Sequence, residues 1–228
     1  MSSVPPNSPK TSPGLSPIAP SLASSPLPQG AYRYELRRDR RLVAIDEERL
    51  AGNRLSGVRR SSEGGDHYEV EAELDETGLV KSAALRYSRG PFSRSASYLV
   101  SDEFLRGSLN SLGGRSDLVV KLGRFREIDA GLILFKALII VHTRGRGLGR
   151  FTGRVAILNP ATLAAAVHKQ TYRQLDAHGR NWIYEPRMGD SETIEIDEHG
   201  IIVRLRDSQG METVLVEAPG LGPAGGSG

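Results

Sequence analysis

Few residues in this 228-residue chain are arranged for chemistry. It has no cysteine, which removes thiolate catalysis, disulfides and Cys-ligated zinc together. Its five histidines are His67, His142, His168, His178 and His199. None pairs with another at i, i+4 or short-loop spacing, so no metal site is expected. There is no Gly-x-Ser-x-Gly elbow for a nucleophile. The run Gly145-Arg146-Gly147-Leu148-Gly149-Arg150 lacks the Lys-Ser/Thr of a phosphate loop, and no cofactor is expected. Four side chains remain as acid–base candidates. His142 follows an apolar run and could sit at a cavity mouth, or simply mark the exit of a strand into water. Tyr184, Glu185 and Asp190 lie in the segment 182–190, whose mix of aromatics, charge and turn residues suits a pocket rim as well as an ordinary turn.

Binding is better supplied than catalysis. Ile128–Val141 is the most apolar stretch, and Leu132, Leu134, Phe135, Leu138 and Ile140 could form the wall of a greasy cavity. Arg144, Arg146 and Arg150 follow it, placed to meet an anionic head group at the rim. With Phe151 they also permit contact with nucleic acid or another anionic polymer. Five Phe and one Trp give a poor supply of stacking surface for that alternative. Net charge is only +3, so no strongly basic surface drives it.

These residues need elements to hold them. A phrase occurs twice: Glu73-Leu74-Asp75-Glu76-Thr77-Gly78-Leu79-Val80 returns as Glu195-Ile196-Asp197-Glu198-His199-Gly200-Ile201-Ile202. Each copy reads strand, acidic turn, glycine, strand, because Asp bonds its own backbone and Gly accepts positive φ. Between residues 67 and 74, Tyr68, Val70, Ala72 and Leu74 alternate with His67, Glu69, Glu71 and Glu73, the mark of a strand with one wet face. The last fifty residues are short strands joined by Asp/Gly connectors. Three segments are less regular. Asp102–Leu112 fits a helix capped by Asp102 or a strand, and Ala161–Val167 fits one or two turns of helix. Ile128–Val141 fits a central strand buried on both faces or a helix crossing the interior, since Leu132, Phe135, Lys136 and Ile139 have helix-compatible spacing; it is read as a strand, because Ile139-Ile140-Val141 is β-branched. Thr143–Gly149 is then a hairpin tip.

The C-terminal third resembles the bacterial putative glycolipid-binding family. The resemblance rests on Gln170-Thr171-Tyr172-Arg173-Gln174-Leu175, on Tyr184, and on Ile194-Glu195-Ile196-Asp197-Glu198-His199-Gly200-Ile201-Ile202-Val203. It implies a curved antiparallel half-barrel like that of lipoprotein carriers, with a concave sheet that could shelter an acyl chain or isoprenoid. It carries over no catalytic residue.

The expected fold is thus mainly β: one antiparallel curved sheet, a barrel or half-barrel, with one or two helices on its concave face. Residues 31–218 form the domain. The Pro/Ser-rich 1–30 and the Gly-rich 219–228 bury too little apolar surface to fold. The longest apolar run is too short to span a bilayer, no secretory signal is visible, and a cytoplasmic setting fits. The expected partner is a hydrophobic or amphipathic small molecule bound without catalysis. The alternatives are an isomerase or hydrolase on the same scaffold and an anionic-polymer module on the Arg-Gly segment.

Overall fold

The structure is a computed structural model, and it describes residues 27–219 except 102, 112 and 188. Expectations for 1–26 and 220–228 fall outside the described residues. The fold is under way earlier than expected: Leu27 is buried, and Gly30 already belongs to the first strand.

The first eight strands form a meander: β1 (Gly30–Arg38), β2 (Arg41–Ala51), β3 (Arg54–Ser61), β4 (Asp66–Leu74), β5 (Val80–Arg89), β6 (Phe92–Ser101), β7 (Phe104–Ser111) and β8 (Gly114–Lys121). A two-residue strand β9 (Ile128–Asp129) and a helix α1 (Ile133–Gly145) follow. A second meander runs back through β10 (Arg150–Leu158), β11 (Ala165–Gln174), β12 (Asn181–Pro186), β13 (Glu192–Ile196), β14 (Ile202–Asp207) and β15 (Met211–Glu217). All fifteen strands form one sheet, ordered β8 to β1, then β15 down to β9. Every pair is antiparallel except β9 with β10. The two meanders join at β1 and β15, and the sheet curls until β8 comes near β11. The mainly β, curved, antiparallel class is as expected, with a single helix among the described residues.

The repeated phrase makes the turns it predicts. The Asp75 carboxylate accepts the backbone N–H of Thr77 at 2.8 Å and of Leu79 at 3.1 Å. The Asp197 carboxylate accepts those of His199 at 2.9 Å and Ile201 at 2.8 Å. A third copy, Asp207-Ser208-Gln209-Gly210, has the same geometry. Of the irregular segments, 104–111 is strand β7, and β11 begins within the segment read as possible helix, after a tight turn at 159–164.

The segment read as a central strand is instead mostly helix. Residues 133–145 form α1, and its faces are buried nearly all round. The reason is satisfaction of the backbone. A strand in the middle of a curled sheet would have no neighbour to pair with, whereas a helix bonds its own N–H and C=O groups. That requirement outweighs the β preference of Ile139-Ile140-Val141. The supposed hairpin tip is therefore the last turn of α1 and its link to β10.

Gly57 makes room for this arrangement. A Cβ there would lie 2.4 Å from Leu132 Cδ1 and 3.1 Å from Glu48 Cγ. The chain can enter α1 against the sheet only because position 57 has no side chain. Strand propensity favours valine over glycine. We expect the opposite here, with Gly57→Val losing about 1–3 kcal/mol in chemical denaturation as overpacking at α1 overrides it.

Candidate functional site

The inner face of the sheet carries a buried polar patch beneath the start of α1. Cross-strand register sets out one row as Tyr34, Asp46, Arg59 and Tyr68, and the next as Tyr32, Glu48, Gly57 and Val70. Asp46 is fully buried and holds Arg59 bidentately, Nε to Oδ1 at 2.6 Å and Nη2 to Oδ2 at 2.5 Å. Tyr68 donates to the carbonyl of Ala130 at 2.6 Å, fixing the chain just before the helix.

Glu48 caps α1 from outside the helix. Leu132, at the N-cap, makes no side-chain capping bond, and the first turn has no acidic residue. The Glu48 carboxylate instead accepts the N–H of Ile133 at 2.8 Å and of Leu134 at 2.9 Å. It thereby satisfies two of the orphan donors at the helix start. Burial first, then the charge of Asp46, push the Glu48 carboxyl up to about 8, while the two backbone bonds and Arg59 pull it down. The Tyr34 hydroxyl lies in the same patch, buried and without a hydrogen-bond partner. Burial and then Glu48 push its pKa well above the ordinary tyrosine value.

A second cluster lies on the other meander. Phe151, Tyr172, Tyr184 and Glu192 form one cross-strand row. Tyr172 and Tyr184 have ring centroids 4.9 Å apart. Lys136 of α1 sits 4.6 Å from the Tyr184 ring centroid and pairs with Glu192. The Tyr184 hydroxyl accepts from Gln170 Nε2 at 2.8 Å. The Tyr172 hydroxyl and Gln170 Oε1 are buried with no partner. Burial, then Asp129 and Glu192, raise the Tyr184 pKa. At the end of α1, Glu127 takes Arg146 at 3.2 Å and His142 Nδ1 at 3.1 Å, leaving His142 Nε2 buried and unpartnered.

The acid–base candidates do not converge. His142 meets Glu127, and Tyr184 meets Gln170. Glu185 pairs with Arg173 at 3.8 Å, and Asp190 is exposed beside Gln209. The arginines separate as well. Arg144 borders a cleft with His178 and Arg180, Arg146 stacks 4.7 Å from the Phe125 ring centroid, and Arg150 starts β10. The expected apolar wall is present as packed core: Leu132, Leu134, Phe135, Leu138 and Ile140 are each at most 3% exposed. They fill the hollow that they were expected to line.

A groove of about 790 Å³ crosses the opposite, outer face of β1–β7. Its charges are largely paired, Arg33 with Glu217 at 3.0 Å and Arg86 with Glu69 at 3.6 Å, as on a solvated face. Among the described residues no cluster of three or more His, Cys, Asp or Glu could hold a metal ion. No helix among them is long and apolar enough to cross a membrane.

The sequence reading missed Asp46, Glu48, Arg59 and Glu127. Asp46 and Glu48 left a signal, two acids at adjacent inner positions of β2, Ala44-Asp46-Glu48-Leu50, where that face should be apolar; Arg59 and Glu127 left none.

No family model matches the chain, and no curated protein matches it. A solved structure similar to it is a DUF1089 family protein from Pseudomonas aeruginosa, determined at 1.80 Å. The TM-score is 0.52 at 18% identity, covering 70% of this chain and 87% of that chain. At that identity the likeness concerns the fold alone.

Glu48 gives the fold a definite pH dependence. Its folded pKa lies above its unfolded one, so between the two the folded state keeps a proton that the unfolded chain has lost. The contribution is complete below the ordinary carboxylate range. It falls by roughly 1 kcal/mol per pH unit as pH rises from about 5 to about 8. Urea titrations across that window should show the slope, and Glu48→Gln should flatten it.

Proposed function

We propose that this protein is a non-enzymatic binder of an amphipathic, glycolipid-like small molecule, held on the inner face of its half-barrel. One observation carries the reading. The curled sheet encloses a single helix that is apolar nearly all round, and this helix is ringed by unpartnered polar groups of its own and of the sheet. Tyr34 Oη, Tyr172 Oη, Gln170 Oε1 and His142 Nε2 are all buried there without hydrogen-bond partners. Such buried polar groups take a partner, a water or a polar atom of a ligand, because leaving one unmet costs about 1–3 kcal/mol. They match a ligand with an apolar body and a hydroxyl-rich or anionic head.

In this reading α1 is the occupant of the empty state. Leu132, Leu134, Phe135, Leu138 and Ile140 take the place of the ligand's apolar part, and α1 moves aside when the ligand enters. Beside its apolar packing, polar contacts hold it, through Glu48 at one end and Lys136–Glu192 and Glu127–Arg146 further along. Such contacts exchange with water or a head group more readily than apolar packing does. The resemblance to glycolipid-binding proteins supports the same ligand class, and the cysteine-free chain supports a cytoplasmic setting. An enzymatic role draws no support from the scattered positions of His142, Tyr184, Glu185 and Asp190.

The absence of native cysteine allows a clean test. Gly57→Cys with Leu132→Cys places two thiols where the chain enters α1, since a side chain at 57 would point at that of Leu132. The wild type should bind a fluorescent polyene fatty acid and carry lipid in native mass spectrometry. The oxidised variant should not bind, and reduction should restore binding. Equal binding by the oxidised form would remove the reading, as would a wild type that takes up no lipid.

A further inference from the structure

The sheet has an open end at β8. β11 comes near it but pairs with β10 and β12 instead. Of the large apolar side chains exposed among the described residues, Phe92, Leu99, Phe104 and Val119 all lie on β6, β7 or β8. Leu99, Arg106 and Val119 form one cross-strand row on the outer face, and Val119 is 58% exposed. An eight-residue edge with apolar side chains beside it is a template for another strand.

The hydrogen-bond pattern limits what can pair there. Ser111 faces Gly114 across a two-residue connection, which makes them a hydrogen-bonded pair. Alternate residues of β8 from Gly114 onward therefore bond to β7. Arg115, Asp117, Val119 and Lys121 direct their N–H and C=O groups outward. A partner strand must register on these four.

We propose that β8 is a dimerisation edge, at which two copies of this chain pair β8 with β8 antiparallel about a two-fold axis through Val119. That register makes a hydrogen-bonded pair of Val119 with Val119. It sets Asp117 of each copy against Lys121 of the other, so opposite charges meet twice by symmetry. On the inner face Leu118 meets Val120. The two axes next to it on the turn side are self-repelling: one through Asp117 opposes the two Asp117 carboxylates, and one through Leu118 opposes Arg115 and Lys121. Asp117 and Lys121 now pair with Arg115 at 3.3 Å and Glu103 at 3.1 Å, both fully wet contacts that cost little to exchange. The partner that this edge fits is a second copy of itself.

Sedimentation of the full chain over the micromolar range tests this. The wild type should show a reversible monomer–dimer equilibrium. Asp117→Lys and Lys121→Asp singly should each weaken it about tenfold, because like charges then face each other twice. The double exchange, Asp117→Lys with Lys121→Asp, should restore it. Val119→Pro should abolish the dimer with circular dichroism unchanged, since the lost N–H points away from β7. A chain that stays monomeric overturns the proposal. A dimer indifferent to the single charge reversals, or to Val119→Pro, overturns it equally.

Discussion

Two hydrogen bonds from the start of α1 to one carboxylate organise this molecule. A helix apolar on every side has no stable place except the interior, and an interior helix needs something to answer its free N–H groups. Here Glu48 does so from a strand more than eighty residues earlier in the chain. Its setting is divided: Arg59 favours the carboxylate, burial and the charge of Asp46 oppose it, and the notch at Gly57 leaves room for the chain beside it. Removing Glu48 leaves the helix donors unmet, removing Asp46 leaves Arg59 without its partner, and filling the notch overpacks the entry to α1.

Much of the sheet was legible in the sequence because turns and alternation are local. Asp75 and Asp197 bond backbone groups two and four residues on, so the whole interaction fits inside a short window of sequence. The face of β4 read correctly from Tyr68 to Leu74 for the same reason. Residues 133–145 did not, because what decides helix over strand there is the lack of a neighbouring strand, a property of the finished fold. The candidate site was hidden for a related reason. Asp46 and Glu48 look like solvent-facing acids until α1 and Arg59 are placed over and beside them. The arginines around the end of α1 seemed a single patch only while the segment was taken for a hairpin; as helix and link they point to different surroundings.

The inner face joins two kinds of surface, a polar row under the beginning of α1 and an aromatic row beside its middle. α1 touches both, and Lys136 extends to Glu192 on the far meander. The helix is therefore a tie between two sheets' worth of strands as well as a filling. The tie at Lys136 is polar, while the rest of α1 packs into the apolar core that the two meanders share.

The seam between β1 and β15 has a kinetic meaning. Arg33 meets Glu217 there across a sequence separation of 184. During synthesis the first eight strands and α1 leave the ribosome long before that seam can form. For that interval the helix has Glu48 to hold it but lacks the far wall that covers its other side. Contacts this distant in sequence close slowly, and a greasy segment waiting for them is exposed to aggregation. The chain thus depends on its last strand to shelter its middle.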